Sequence, residues 1–349
     1  LKVNPIYSHH VILMLLIVHL IIGHRRLRDI EYYRDDEMVK RLLGLKRLPD
    51  VSTISRSLAS ADEVSVEKVR DESRNLVIER LSAERISRVT LDFDGSVLST
   101  GRHAEGTAVG FNKKKKGARS YYPLFCTVAQ TDQVLDVHHR PGNVHDSNGA
   151  DAFIGHCLHS VRTALPRIKI ETRIDSAFFN ETIAERLDSM GVEFTISVPF
   201  ERFTELKGMI EGRKRWRRLN GELSFFETRW KPKSWTTPHR FIFIRKQVRR
   251  QDKAPVQLDL FKPIEYGYEF KVIVTNKTES AKSVVLFHNG RGSQERIFGD
   301  AKNDAALDVI PSKRLAGNQL FTLCAMMAHN LSREVQMLAA AGATKTRAL

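Results

Sequence analysis

The sequence predicts an α/β fold with a helical N-terminal region and a mostly β insertion. Residues 1–85 carry helical signals, and residues 86–200 alternate strand-like with helix-like runs. Residues 201–285 lose that rhythm and carry alternating strand-like runs, and helical spacing returns in residues 286–349. At 349 residues and 42% hydrophobic content, the chain is long enough to bury the cores of such regions.

The composition favours a polyanionic partner and a reducing compartment. Lys and Arg number 56 against 41 Asp and Glu, a net charge of +15, which favours binding to nucleic acid. Cys126, Cys157 and Cys324 lie far apart in the sequence, so neither a zinc site nor a disulfide framework is indicated. We therefore expect a cytoplasmic protein.

The N-terminal region opens with an apolar run, Val11 to Ile22. A bilayer span needs about 20 residues, and arginines follow this run at once, so a buried helix is predicted. A Leu48-Pro49-Asp50 break then separates two helix-like stretches. Helix, turn and helix suit a DNA-binding unit and, equally, a plain helical packing region. Because the sequence begins at Leu1 rather than Met, we expect a fragment.

The core region follows the order β-β-β-α-β. The predicted elements are Val89–Val97, Tyr121–Gln130, Val134–Arg140, Ser147–Ala164 and Ile168–Ile174, with a helix at Glu181–Met190 and a strand at Glu193–Val198 after them. In a ribonuclease H-like core the first and fourth of these strands are neighbours. Asp94 and Asp175, which end those two strands, are therefore expected to share one site.

Two features distinguish these acids from ordinary strand residues. Asp92 and Asp94 point to the same face of an otherwise apolar strand, and Gly95 and Ser96 leave room for a metal or a phosphate. We expect Asp94 to bind metal directly and Asp92 to support it from behind, the alternative being a solvated strand edge. Asp175 stands at a strand-to-turn switch that suits a metal ligand, although helix capping is the commoner role of such an Asp.

The region after residue 200 is strongly basic. Residues 201–250 carry 15 Lys/Arg and 5 Asp/Glu, together with three tryptophans, and alternating runs around Phe241 and Phe270 indicate antiparallel strands. An indole among cations can stack on an unpaired base, for which Trp230 is the candidate. Packing within the sheet is the alternative for Trp230.

Glu295 lies on the helix predicted after the insertion. Arg291 and Lys302 stand four residues before and seven after it, which places all three on one helical face. A surface ion-pair ladder usually explains such a face. Taken with two acids on strands, however, Glu295 suggests a metal-dependent nuclease, because divalent cations offset the charge of buried acids and supply phosphoryl-transfer chemistry.

Asp94, Asp175 and Glu295 resemble the DDE triad of bacterial insertion-sequence transposases that carry a β domain between the second Asp and the Glu. The spacing His288-x2-Arg291-x3-Glu295-x6-Lys302 is similar to the Tyr-x2-Arg-x3-Glu-x6-Lys pattern of the IS-four-like group, with His288 at the position of Tyr. The stretches most like the IS-thirteen-eighty family are Leu91–Val97, Gly106–Leu124, Arg140–Asn143 and Leu48–Arg56.

The resemblance implies an enzyme that cuts and joins the ends of an insertion sequence, with excision through a DNA hairpin. Asp94, Asp175 and Glu295 would hold two Mg²⁺ ions, with Mn²⁺ as a substitute, while Arg291 and Lys302 contact phosphates near the cleaved end. The implied partners are duplex DNA with terminal inverted repeats, target DNA and a second copy of the chain in a DNA-bound homodimer, in the bacterial cytoplasm at the nucleoid. A run of four lysines, Lys113, Lys114, Lys115 and Lys116, is expected to track phosphates.

Two other functions remain open from the sequence. A catalytically inactive DNA-binding remnant is disfavoured by the intact acids, and a ribonuclease H-fold nuclease without strand transfer is disfavoured by the β insertion. A membrane protein or a small-molecule enzyme finds little support, because no long apolar span and no nucleotide-binding glycine pattern is present. His138, His139 and His145 lack a second cluster of ligands, so we assign them structural or DNA-facing roles.

Overall fold

The computed structural model describes residues 7–84, 86–101, 103–110, 112, 115–144, 148–248 and 267–339. Lys113, Lys114 and His145 lie outside these residues. The chain divides into two compact units: the first comprises Leu1–His145, His156–Ile168 and Gly292–Leu349, and the second comprises Asp146–Gly155 and Lys169–Arg291.

The described residues form both helices and strands. The helices are α1 (His9–Ile21), α2 (Glu37–Leu42), α3 (Val51–Ala59), α4 (Glu63–Ala83), α5 (Ala150–Ala164), α6 (Glu181–Ser189), α7 (Thr204–Glu211), α8 (Ala281–Asn289), α9 (Ser293–Asp304) and α10 (Leu315–Ala339). The strands are β1 (Arg88–Gly95), β2 (Leu98–Thr100), β3 (Ala108–Val109), β4 (Arg119–Tyr121), β5 (Leu124–Val128), β6 (Gln133–His138), β7 (Lys169–Ile174), β8 (Glu193–Val198), β9 (Arg217–Arg218), β10 (Leu223–Trp230), β11 (His239–Gln247) and β12 (Tyr268–Thr275). The mixed α/β fold is confirmed.

Helix α1 is a buried element of the first unit, as the apolar run predicts. Leu15 and Leu20 are fully buried in a core that also holds Phe321 of α10, and the Ser8 hydroxyl accepts a hydrogen bond from the Val11 amide at the start of the helix. His19 is buried as well and hydrogen-bonds the Tyr33 hydroxyl at 2.6 Å. None of the helices in the described residues combines the length and the apolarity that a membrane span needs.

The sheet of the first unit is an antiparallel run of β6, β5 and β1. Asp94 of β1 lies opposite Phe125 of β5, and β5 pairs in turn with β6. The predicted strand Tyr121–Gln130 is divided, because Pro123, which has no amide proton to donate to a ladder, separates β4 from β5. The order of strands and helix predicted for residues 86–174 is otherwise confirmed, with the short strands β2, β3 and β4 added.

The added strands form a small sheet, in the order β2-β4-β3, that depends on two glycines. A Cβ atom on Gly110 would lie 2.2 Å from the carbonyl oxygen of Gly142, and a Cβ atom on Gly142 would lie 2.6 Å from the carbonyl oxygen of Ala108. Neither backbone could approach so closely with a side chain present, so both positions require glycine.

A buried ion cluster joins α4 to β6. The carboxylate of Asp136, which is 1% exposed, accepts hydrogen bonds from Arg70 Nε at 2.6 Å and from Arg74 Nη2 at 3.3 Å. Two guanidinium groups offset the cost of burying one carboxylate.

In the second unit, β7 and β8 are parallel, and β8, β12, β11, β10 and β9 follow as antiparallel neighbours. The antiparallel strands predicted around Phe241 and Phe270 are therefore confirmed. One face of these strands buries Ile242, Ile244 and Ile273 in a cluster with Val284 and Val285 of α8. The other face carries most of the aromatic side chains, including Phe226, which stacks on Phe243 at 4.3 Å.

Candidate active site

Asp94 stands one residue before the end of β1, half-buried. Its Oδ1 atom accepts a 2.8 Å hydrogen bond from the amide of Gly95, which fixes the side chain close to its own backbone. Asp92, two residues earlier on the same face of the strand, is fully buried. The more accessible of the two acids is therefore Asp94, the one nearer the strand end.

Glu295 lies in the first turn of α9, on the exposed side of that helix. The buried side is apolar apart from one glutamine and comprises Gln294, Ile297, Phe298 and Ala301, at the i, i+3, i+4, i+7 spacing of a packed helix. Phe298 contacts Phe125, with ring centroids 5.2 Å apart. Because Phe125 lies opposite Asp94 in the sheet, the packing sets α9 beside the Asp94 end of β1.

Two side chains of α9 hydrogen-bond to the Asp92–Ser96 stretch. Gln294 Nε2 donates to the main-chain oxygen of Asp92 at 3.0 Å, and Lys302 Nζ donates to Ser96 Oγ at 2.7 Å. Glu295 and Asp94 belong to the segments that these bonds hold together. Within the first unit, Glu295 and Lys302 thus lie on a helix that is bonded to the strand end carrying Asp94.

Arg291 departs from the expected helical face. It belongs to a 3₁₀ turn, Gly290–Gly292, and α9 begins only at Ser293, so Arg291 is not on the helix of Glu295. Glycines on both sides of Arg291 weaken helix propensity at this point. In the second unit, Arg291 Nη2 lies 3.6 Å from Asp175 Oδ1.

Asp175 directly follows the last residue of β7 in the second unit and caps the short 3₁₀ turn that comes next. Its Oδ1 atom accepts a 2.7 Å hydrogen bond from the Ser176 amide, so the capping role weighed from the sequence is present. The carboxylate remains about one-third exposed. The nearby Lys271 has its pKa lowered by burial and by the charge of Arg291, an effect that Asp175 opposes.

His288, at the position of the pattern's Tyr, is a buried structural residue. Its Nε2 and Nδ1 atoms each lie 2.9 Å from a hydroxyl of β8, those of Ser197 and Thr195. Burial, followed by the charges of Lys271 and Arg291, holds the pKa of His288 well below its ordinary value. The ring is therefore neutral at neutral pH and is enclosed by protein. Nothing in the sequence around His288 indicates its two hydroxyl partners.

The remaining candidates for DNA contact differ in exposure. Lys115 and Lys116 are exposed. Trp230 is half-buried, and its ring packs edge-to-face against Phe203 at 5.7 Å and Phe241 at 5.0 Å. The packing alternative is thus observed for Trp230, although part of its ring stays accessible.

The carboxylate oxygens of Asp94 and Glu295 are hard donors of the kind that Mg²⁺ and Mn²⁺ bind. Asp94 is half-buried at a strand end and Glu295 is exposed, so both have oxygen atoms within reach of solvent ions. Across the described ranges, no group of three or more His, Cys, Asp and Glu side chains is close enough to hold a metal ion. Asp94 and Glu295 fit such an ion only by the chemistry of their carboxylate oxygens.

The model of one protein family, described as transposase DDE domain group 1, matches residues 3–348. The chain belongs to this family. It is a DDE-type transposase, and the residues that resemble a DDE triad lie within the matched range. A search of curated proteins gave no significant match.

Solved structures similar to this transposase are transposase–DNA complexes. A piggyBac transposase synaptic complex with hairpin DNA is 9% identical over 99% of this chain and 70% of that chain, with a TM-score of 0.54, which shows a shared fold. A Mos1 transposase paired-end complex with the left transposon end is 10% identical over 55% of this chain and 59% of that chain, with a TM-score of 0.23. A Mos1 mariner paired-end complex with Mn is 10% identical over 55% of this chain and 60% of that chain, with a TM-score of 0.22.

Proposed function

We propose that this transposase cuts the ends of a DNA element and joins them to target DNA with Asp94, Asp175 and Glu295 as its catalytic triad. The observation that carries the proposal is the pair of hydrogen bonds from α9 to the Asp92–Ser96 stretch, which associates Glu295 with Asp94 across about two hundred residues of sequence. Family membership supports the addition of Asp175, which directly follows β7, whereas Asp94 is the second-last residue of β1.

Two Mg²⁺ ions, or Mn²⁺ in their place, would supply Lewis acidity at the attacking and leaving oxygens of the phosphoryl transfer. The three carboxylates would hold these ions. Asp92, fully buried behind Asp94, would keep the strand end in position. The side chains of the protein must also orient the DNA phosphate that reacts. This requires positively charged side chains near the carboxylates.

Lys302 and Arg291 are the proposed phosphate contacts at the cleaved end. The Lys302 ammonium is held at the Asp94 end of β1 by its bond to Ser96, and Arg291 lies 3.6 Å from Asp175. Each cation therefore accompanies one acid of the proposed triad. An arginine can grip two phosphate oxygens at once, whereas the lysine acts as a point charge.

Further parts of the DNA interface are proposed on charge and exposure. Lys113, Lys114, Lys115 and Lys116 would follow the phosphate backbone, and the accessible part of the Trp230 ring would stack on an unpaired base.

The motif spacing supports a place in the IS-four-like group, most like the IS-thirteen-eighty family. The β-β-β-α-β order and the likeness to the piggyBac transposase support a ribonuclease H-like core interrupted by a basic β insertion.

The proposed reaction runs through a DNA hairpin in a homodimer that bridges two terminal inverted repeats, in the bacterial cytoplasm at the nucleoid. The piggyBac complex contains hairpin DNA, which supports the hairpin step for a chain of the same fold. The alternatives are a DNA-binding remnant without catalysis and a nuclease without strand transfer. A hairpin-ended product and a joined product distinguish transposition from both.

The test is cleavage of a labelled duplex that carries the element's own terminal repeat, with and without Mg²⁺. The parent chain should cut in Mg²⁺, and Asp94→Asn, Asp175→Asn and Glu295→Gln should each abolish cutting while they still bind the duplex. Asp304→Asn is the matched control, because Asp304 is an exposed acid on the same helix as Glu295. Full cutting by any triad variant would remove that residue from the site, and binding without cutting by the parent would favour the remnant.

A further inference from the structure

The described part of the second unit has a strongly basic edge at one end of its sheet. Five cations, Arg213, Lys214, Arg215, Arg217 and Arg218, surround Trp216, and all five are exposed. We name residues 213–218 the basic edge. Within the described residues, none of the five forms an ion pair with an acid, and β9, which contains Arg217 and Arg218, pairs only with β10.

Aromatic stacking gives this edge a fixed shape. The Trp216 indole donates a 3.1 Å hydrogen bond to the main-chain oxygen of Arg213. The guanidinium of Arg245, on β11, lies 4.7 Å from the Trp216 ring centroid and 4.5 Å from that of Tyr268. The basic edge is thus anchored to two further strands through Arg245.

The arrangement favours contact with phosphates over stacking on bases. Arg245 covers one face of Trp216, and the Phe226 ring meets the indole edge-to-face at 4.8 Å, so the aromatic surface is engaged within the protein. What the edge presents outward is charge. Only Arg217 and Arg218 lie in a strand, so the six residues span less than the roughly 17 Å of a fully extended segment, at about 3.3 Å for each residue. One strand of duplex DNA carries at most about five phosphates over that length.

We infer that the basic edge binds the backbone of duplex DNA without reading its sequence, as a contact separate from the proposed triad. The inference deepens the proposed function, because the duplex would be DNA on which the transposase acts. A structural alternative exists, since charged side chains on an edge strand also prevent pairing with other chains. DNA binding distinguishes the two, because edge protection requires no affinity for phosphate.

The test measures binding of an arbitrary-sequence duplex by fluorescence anisotropy, without divalent metal, from about 50 to 200 mM salt. The variant Lys214→Gln/Arg215→Gln/Arg217→Gln removes three charges whose side chains make no hydrogen bond within the described residues. For this variant, the slope of log K against log salt concentration (the salt-dependence slope, where K is the binding constant) should be shallower by about 2–3. Affinity should fall about tenfold or more at low salt. Because no cleavage is measured, a failure of the proposed catalytic function leaves this result unaffected.

The control Arg167→Gln/Lys282→Gln/Lys313→Gln removes the same charge from exposed lysine and arginine positions elsewhere. It should keep the parent's slope. An unchanged slope in the first variant, or an equal loss in the control, would overturn the inference, since affinity would then be absent from the edge or would follow net charge alone. A loss confined to single-stranded DNA would overturn it as well. Matching melting temperatures for all three proteins establish that each is folded.

Discussion

The side-chain amide of Gln294 donates a hydrogen bond to the main-chain oxygen of Asp92, and the two residues are separated by 202 positions in the sequence. Gln294 is fully buried, and it is the one polar residue on the packed side of α9. The bond therefore sets the position of the helix along β1. Glu295, the next residue, takes its place from this contact.

We expect Gln294→Leu to destabilise the chain by about 1–3 kcal/mol, because a buried carbonyl loses its partner. Cleavage should fall about 10- to 100-fold through misplacement of Glu295, while DNA binding is retained. Urea unfolding and single-turnover cleavage measure the two effects. The exposed Gln336 offers a control, Gln336→Leu, that should change neither. Normal cleavage by the destabilised Gln294 variant would show that the contact does not position the acid.

Variants of Lys302 and Ser96 distinguish two possible roles of Lys302: its positive charge can bind DNA phosphate, and its hydrogen bond to Ser96 can hold α9 in place. Lys302→Gln should weaken binding of the element's end and reduce the salt-dependence slope by about one, the effect of one lost phosphate contact. Ser96→Ala removes the 2.7 Å bond but keeps the ammonium, so its slope should match the parent's. Equal slopes in all three proteins would argue that Lys302 has only a structural role.

The Asp136 cluster should be essential for stability. Asp136→Asn leaves the guanidinium groups of Arg70 and Arg74 without their buried counterion, so we expect a loss of about 3–5 kcal/mol in the free energy of unfolding. The exposed pair of Arg25 and Asp308, 2.7 Å apart with side chains 39% and 41% exposed, is the matched comparison. Asp308→Asn should cost no more than about 1 kcal/mol. Similar losses in the two variants would contradict a special role for burial.

His288 should make the chain less stable in acid. Because its pKa is lowered in the folded state, the unfolded chain binds the additional proton. Stability is therefore full above the unfolded pKa of about 6.5 and declines as the pH falls below it. The decline reaches at most about 1.4 kcal/mol per pH unit for one histidine. In His288→Gln, which can bond Ser197 and Thr195 without titrating, the decline between pH 7 and pH 5 should be shallower. Parallel curves for the two proteins would assign the acid sensitivity to other groups.

Much of the fold could be predicted because its elements are long and periodic. The apolar residues of β1 and β11, and the spacing of buried residues in α9, are visible in the sequence, and these segments are buried, the two strands over continuous runs of residues. The short strands β2 and β3 have three and two residues, too few for any period. They depend on the close approach of Gly110 and Gly142, which sequence spacing does not indicate.

The position of a candidate site residue was predictable where it follows from the residue's own segment and not where it follows from a distant one. Asp94 at a strand end and Glu295 on a helix could be placed in this way. The burial of His288 between two hydroxyls of β8, and the stacking of Arg245 on Trp216, join segments far apart in sequence. The helix of Glu295 does not extend to Arg291, because glycines flank Arg291 on both sides. The regular spacing of the motif had predicted a continuous helix there.

The distance in sequence between Gln294 and Asp92 has a consequence during synthesis. A ribosome makes the chain from its N-terminus, so β1 is complete long before α9 exists. A nascent chain that has passed Asp94 and Asp175 but not Ser293 can hold neither the helix nor its two ties to the strand. Under the proposed mechanism, a polypeptide that lacks α9 is harmless to the genome that encodes it, and the ability to cut arises only after α9 has been made.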